Sequence, residues 1–246
     1  MRSAIRQPKW VVTGIVVVLL AGLFVRLGFW QLSRLEERRT ANEIAGARLS
    51  AAPLQFDELL VEADGDLTSL EHRRATVTGE WDPAEEILIR SQVELGTAGF
   101  HVITPLVKED GVAVLVNRGW VPLTMDTPPI VDAAPPSDAS QIEGWVHLTE
   151  TRPPFGAKEP DGDHDVFNRV DLDRIARQLP YGVTPVYLVM AGEGDQLPIP
   201  VDPPDFEDEG PHLAYSIQWF GFALVGLVGF YFLARRKGEE VSSHPS

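Results

Sequence analysis

The sequence predicts two transmembrane α-helices flanking an extracytoplasmic, β-rich (α+β) domain, mainly antiparallel sheet or barrel. Three observations predict it. A long apolar stretch lies near each end of the 246-residue chain. Basic residues sit on the terminal side of each stretch. The region between them is acidic and alternates short apolar runs with turn residues. One domain of ordinary size plus two membrane spans accounts for that length.

The elements follow in order. Residues 1–9 form a short N-terminus carrying Arg2, Arg6 and Lys9. Residues 10–32, WVVTGIVVVLLAGLFVRLGFWQL, exceed the ~20 residues a helix needs to cross ~30 Å of hydrocarbon. This stretch runs into Gly28, Phe29 and Trp30 and then a charged segment, without a small-residue cleavage site. That pattern predicts an anchor rather than a signal peptide. A juxtamembrane helix is expected over 33–52, until Pro53 stops it. The β-rich domain spans 53–191. Alternation and β-branched content predict strands over 74–80, 87–90, 100–107, 112–117, 141–148 and 186–191. The pair Asp110-Gly111 suits a tight hairpin turn between two of them. One helix is expected after Asp171, with Leu172, Ile175, Ala176 and Leu179 on one face before Pro180. Stretches 126–138 and 152–165 read as loops, and 192–211 as an acidic, proline-rich linker. The second span covers 212–234, and the tail 235–246 opens with Arg235, Arg236 and Lys237.

The positive-inside rule puts both termini in the cytoplasm and the acidic middle outside. No mitochondrial presequence is visible in the nine residues before the first span, so a bacterial cytoplasmic membrane is the expected location.

Composition removes several classes of function. Cysteine is absent, so no thiolate holds zinc, copper or an iron–sulfur cluster. The three methionines (Met1, Met125, Met190) are scattered, which argues against a Met-rich copper carrier. Net charge is −15, and residues 40–212 hold 32 acidic side chains against 11 basic ones. A phosphate backbone needs a basic face, so nucleic acid is not an expected partner. The acid excess suits a solvated surface or a docking face for a basic partner.

No catalytic constellation stands out. There is no phosphate-binding glycine loop, no HExxH pair and no nucleophile elbow. The six histidines (His72, His101, His147, His164, His212, His244) show no metal-ligand spacing. The unusual residues sit at the outer ends of the spans. His212 follows Pro211, and Tyr215, Ser216 and Trp219 share its helical stripe. A neutral imidazole there can ligate a haem iron with aromatic rings beside the macrocycle, or it can sit in an ordinary interfacial aromatic belt. Arg26 lies near the outer end of the first span, one turn before Trp30. It can pair a propionate or snorkel to the headgroups.

Four motifs, in order, resemble the surfeit-locus-one family. They are LGFWQLSRLEERR (27–39), GFHVITPLVKEDGVAVLVNRGWVP (99–122), HLTETRPPF (147–155) and HLAYSIQWFGFAL (212–224). The resemblance covers nearly the whole chain. It implies an assembly factor, not an enzyme, for haem-copper cytochrome c oxidase, acting near haem a insertion into the catalytic subunit. That subunit, haem a synthase and the lipid bilayer are the implied partners, and haem a the implied cofactor. The family's proposed haem ligand maps onto His212, with Tyr215 and Trp219 in the same motif. Gln31 and Arg34 match in the first motif. Asn117, Arg118, Gly119 and Trp120 match in the second, and Thr149, Glu150 and Arg152 in the third. Arg118 suits a partner contact, a propionate or a buried structural role. A haem-free scaffold for an oxidase subunit is the alternative, and a membrane-anchored sensor a third.

Overall fold

The computed structural model describes residues 8–94, 96–137, 140–150, 162–206 and 208–242. It has two compact units, one of residues 45–204 and one joining the two ends of the chain.

The terminal unit is helical. Helix α1 runs unbroken over Pro8–Ser50 and α4 over His212–Ser242. Past the apolar stretch, Leu35, Glu36, Glu37, Arg38 and Arg39 are strong helix formers, so α1 continues without a break. It ends at Ser50, because Pro53 bars a further turn. Both helices contain a segment long and apolar enough to cross a membrane. Their apolar side chains face outward. Leu19, Val18, Leu224 and Val225 are each at least 60 % exposed, unlike the side chains of a core helix. The two helices meet through small residues. Ala21 and Ala223 are buried, and a Cβ added at Gly28 would lie 2.6 Å from the Phe220 ring. Close approach through small residues is the usual way that helices associate where both faces are apolar.

The central unit is a β-structure. Among the described residues its strands are β1 (Leu54–Gln55), β2 (Arg74–Trp81), β3 (Ile87–Glu94), β4 (Thr97–Val107), β5 (Ala113–Pro122), β6 (Ser140–Leu148), β7 (Val166–Phe167) and β8 (Val186–Met190). They form one sheet in the order β1-β2-β6-β8-β5-β4-β3-β7. A further pairing, Glu80 with Val107 and Trp81 with Leu106, joins β2 to β4 and closes β2, β6, β8, β5 and β4 into a barrel. Gly79 permits this closure. A Cβ there would lie 2.6 Å from the Val107 carbonyl oxygen. Most pairs are antiparallel, with β5–β8, β1–β2 and β3–β7 parallel.

The two-residue period of the strands divides the core. Ala75, Val77, Leu106, Val114, Val116, Val146, Val186 and Leu188 cluster with Phe56 and Leu59 of helix α2 (Phe56–Glu62). The intervening residues Leu115, Trp145, Tyr187 and Val189 pack with Leu172 and Ile175 of helix α3 (Leu172–Ile175). Asp171 caps α3 by accepting from the Arg174 N–H at 3.1 Å, as the sequence predicts. The helix itself is one turn long. Leu179 still reaches the core through the turns that follow.

The hairpin between β4 and β5 forms as expected. Lys108 N–H donates to Val112 O at 3.0 Å, and Gly111 takes φ 79°. Strand β5 runs to Pro122 rather than stopping at Asn117, because a bulge carries it through Arg118 and Gly119. The register steps from Val102 opposite Gly119 to Ile103 opposite Asn117. Arg118 is the extra residue.

Arg118 is buried. Its guanidinium donates to Glu86 Oε2 at 3.0 Å, to Thr104 Oγ1 at 3.3 Å and to the carbonyl of Ala133, and it lies over the Trp81 ring at 5.7 Å. Glu86 Oε1 accepts from the Ile130 N–H at 2.7 Å. Burial lowers the Arg118 guanidinium from its ordinary value, and the adjacent Glu86 carboxylate pulls it back up. Removing one partner would leave an uncompensated buried charge. Glu86→Ala is therefore expected to destabilise the domain by roughly 3–5 kcal/mol. Urea unfolding of the full chain in detergent, followed by tryptophan fluorescence, measures this. A loss below about 1 kcal/mol would show that the pair is not structural.

Candidate functional site

The chain entering α4 is clamped onto α1. Arg39 donates from Nε and Nη2 to the two carboxylate oxygens of Glu209, at 2.7 and 2.8 Å. Asn42 Nδ2 donates to the Asp208 carbonyl at 3.0 Å. The Arg39 hydrogen bond holds Glu209 below the usual carboxylate range. Gly210, at φ 70°, turns the chain into the first helical turn, where Pro211 O accepts from the Tyr215 N–H at 3.1 Å.

His212 stands at the start of α4. Its Nδ1 is 2.9 Å from Gln31 Oε1 on α1. A carbonyl oxygen accepts, so Nδ1 carries a proton and Nε2 is the ring nitrogen left for a ligand. One turn on, the buried Ser216 hydroxyl donates to Gly28 O at 3.1 Å. Trp219 stacks on Phe24 with centroids 5.5 Å apart. His212, Ser216 and Trp219 thus share the face turned to α1. Tyr215, from the same predicted stripe, is 47 % exposed.

The other first-motif residues lie outward. Arg26 and Trp30 are exposed, and Arg34 pairs Glu37 at 2.6 Å while its guanidinium lies over Trp30. Among the described residues Arg26 makes no hydrogen bond or ion pair. The structure therefore joins His212 to Gln31, and leaves Arg26 and Trp30 as exposed groups near that end of α1. Two partners in this arrangement lie outside the motifs: Phe24, which stacks on Trp219, and Glu209, which pairs with Arg39 of the first motif. Gly28 in the first motif was the available signal for a close helix crossing.

The second-motif residues belong to the barrel. Asn117 Nδ2 donates to His101 Nδ1 at 3.1 Å, and its Oδ1 accepts from the Gly119 N–H at 3.0 Å. Gly119, at φ 132°, abuts the Ile199 carbonyl where a Cβ would stand. Trp120 is buried and pairs with Ile199 through two main-chain hydrogen bonds, at 2.7 and 2.8 Å. In the third motif, Thr149 Oγ1 accepts from the Leu172 N–H at 3.0 Å, fixing the start of α3. Glu150 Oε1 accepts from the Tyr187 hydroxyl at 3.2 Å. Arg152 lies outside the described residues.

Two membrane-capable helices carrying a small β-barrel domain between them define a membrane-anchored class of protein. The SURF1 family model matches residues 18–224, and the chain belongs to that family. It is 28% identical to an uncharacterized SURF1-like protein of Mycobacterium tuberculosis, over 97% of this chain and 90% of the relative. It is 26% identical to a SURF1-like protein of Rickettsia felis, over 91% of this chain and 97% of the relative. A SURF1-like protein of Caenorhabditis elegans is 30% identical over 91% of this chain and 74% of its own length.

Burial pushes the His101 imidazole down to about 4. Glu94 Oε1 lies 3.9 Å from Nε2, and burial outweighs it. The unfolded chain binds a proton near pH 6.5, so stability is full above that value and falls as pH drops toward 4. The expected loss is roughly 3 kcal/mol. Unfolding free energies from pH 7 to 4 measure it, and His101→Gln should flatten the profile by about that amount. Parallel profiles for wild type and variant would show that His101 titrates normally.

Proposed function

We propose that this chain is an assembly factor for haem-copper cytochrome c oxidase that aids delivery or insertion of haem a into the catalytic subunit. It works as a two-span protein of a bacterial cytoplasmic membrane, with both termini in the cytoplasm and the barrel domain outside. The observation that carries the proposal is the Gln31–His212 hydrogen bond, which engages Nδ1 and leaves Nε2 as the ring nitrogen that can ligate. Family membership supports the oxidase context. The basic flanks Lys9, Arg235 and Arg236 support the orientation.

The donor set fits haem. When bound, haem a would supply an iron that an imidazole can ligate. His212 would hold the iron through Nε2, and Gln31 would fix the tautomer and ring plane. Arg26 offers a guanidinium suited to a propionate. Trp30, Tyr215 and Trp219 offer aromatic faces to the macrocycle. The catalytic subunit is the proposed recipient, and haem a synthase the proposed donor partner.

The same hydrogen bond also staples two helices together, which is the role it would have in a haem-free scaffold. Two variants separate these readings. The full chain is co-expressed with haem a synthase, purified in detergent, and its haem a content read from the reduced spectrum. His212→Ala is expected to lose most of the haem and Gln31→Leu to bind it roughly tenfold more weakly. Equal haem in all three proteins would remove His212 and Gln31 from the haem site, and no haem in wild type, with oxidase assembly still dependent on the chain, would establish the scaffold.

A further inference from the structure

We propose that Glu71, His72 and His147 form a site for a borderline divalent metal ion, Zn²⁺ or Cu²⁺, in the barrel domain. His147 Nδ1 lies 2.9 Å from Glu71 Oε1, and His72 Nε2 lies 3.8 Å from the same oxygen. The three ligand atoms all lie within 4.8 Å of one another. An ion held tetrahedrally at ~2.0–2.1 Å from nitrogen and oxygen needs ligand atoms about 3.3 Å apart. The observed separations bracket that value.

The surroundings hold the ligands in place. Glu71 Oε2 accepts from the Leu148 N–H at 2.8 Å, which turns Oε1 toward the imidazoles. His72 sits at φ 66°, a conformation that L residues with a Cβ seldom adopt. Its N–H donates to Val146 O at 2.9 Å, so β6 fixes the backbone that aims the ring. Strained backbone of this kind concentrates at functional sites. The two imidazoles stand nearly perpendicular, at 88°. The His147 ring stacks on Tyr187, whose hydroxyl is bonded to Glu150. The third motif thus supplies one ligand and the carboxylate that orients the tyrosine behind it.

Ligand chemistry selects the ion. Two imidazoles and one carboxylate suit zinc and copper(II), and the absence of thiolate and thioether at the cluster disfavours copper(I). The side chains are 18–27 % exposed, which leaves an entry path and a fourth position for water. His147 would bind through Nδ1 and His72 through Nε2, each with its remaining proton on the other ring nitrogen.

The test uses the full chain, with no polyhistidine tag, stripped of metal and held in detergent. Zinc chloride is titrated calorimetrically, and Co²⁺ serves as a spectroscopic probe. Wild type is expected to take up one equivalent of zinc at this cluster and to give the visible bands of four-coordinate Co²⁺. Glu71→Gln and His147→Gln are expected to weaken zinc binding roughly tenfold or more and to lose those bands. His212→Ala, which removes the imidazole offered to haem, is expected to keep both. Absence of zinc binding by wild type, or unchanged binding in both cluster variants, overturns the proposal and leaves a metal-free hydrogen-bonded cluster. Should the cluster variants fail to fold by circular dichroism, X-ray absorption of zinc-loaded wild type decides. A first shell with two imidazoles supports the site, and any other shell overturns it.

Discussion

The barrel domain depends on one buried charge pair. Arg118 and Glu86 are 4 % exposed each, and the groups named around them come from three other pieces of the fold. Thr104 comes from β4, Ala133 and Ile130 from the connection between β5 and β6, and Trp81 from the end of β2. A guanidinium in an apolar interior is costly unless several oxygens surround it. That requirement forces these segments together. The bulge falls at the same residue, Arg118 being the extra one between Asn117 and Gly119. Gly119 then takes a backbone conformation that side chains with a Cβ resist, and its bare Cα lets the Ile199 carbonyl close against it.

This changes the meaning of the Asn117-Arg118-Gly119-Trp120 motif. All four residues are spent on architecture: Asn117 on His101 and the bulge, Arg118 on the charge pair, Gly119 on the close approach, Trp120 on the 199 segment. A partner-facing role for Arg118, which the sequence leaves open, would need a buried guanidinium to abandon Glu86. The motifs of the two spans differ in kind. There His212 and Gln31 meet at helix surfaces, and the apolar side chains around them face outward.

Much of this was legible. The long apolar stretches, the alternating strands and the Asp110-Gly111 turn each follow from local pattern. What local pattern cannot carry is pairing between distant segments. Strand β7 is two residues long and exists because Leu88 and Ile89 offer it an edge. Helix α2 forms because Phe56 and Leu59 cover one set of barrel residues, though its seven residues are too few to hold a helix alone. The histidines show the limit most clearly. His72 and His147 lie on β2's approach and on β6, so no spacing rule relates them. Only the antiparallel pairing of Arg74 with Trp145 sets them side by side. His212 was prominent by position, yet its link to Gln31 depends on the register between two helices.

The two imidazoles that face ligand chemistry differ in the group behind or beside them. Gln31 gives His212 a neutral amide oxygen, which fixes the tautomer and adds little negative charge. Glu71 gives His147 a carboxylate, which itself counts as a ligand and lowers the charge of a divalent ion. A carboxylate in place of the Gln31 amide would make the His212 imidazole more basic and hold metal harder. An imidazole backed by an amide holds it less tightly. For a protein proposed to pass haem onward, a strong bond to the iron would oppose release to the recipient subunit. Glutamine at position 31 therefore suits the proposed transfer of haem, whereas a carboxylate ligand in the proposed Glu71 site suits an ion that stays.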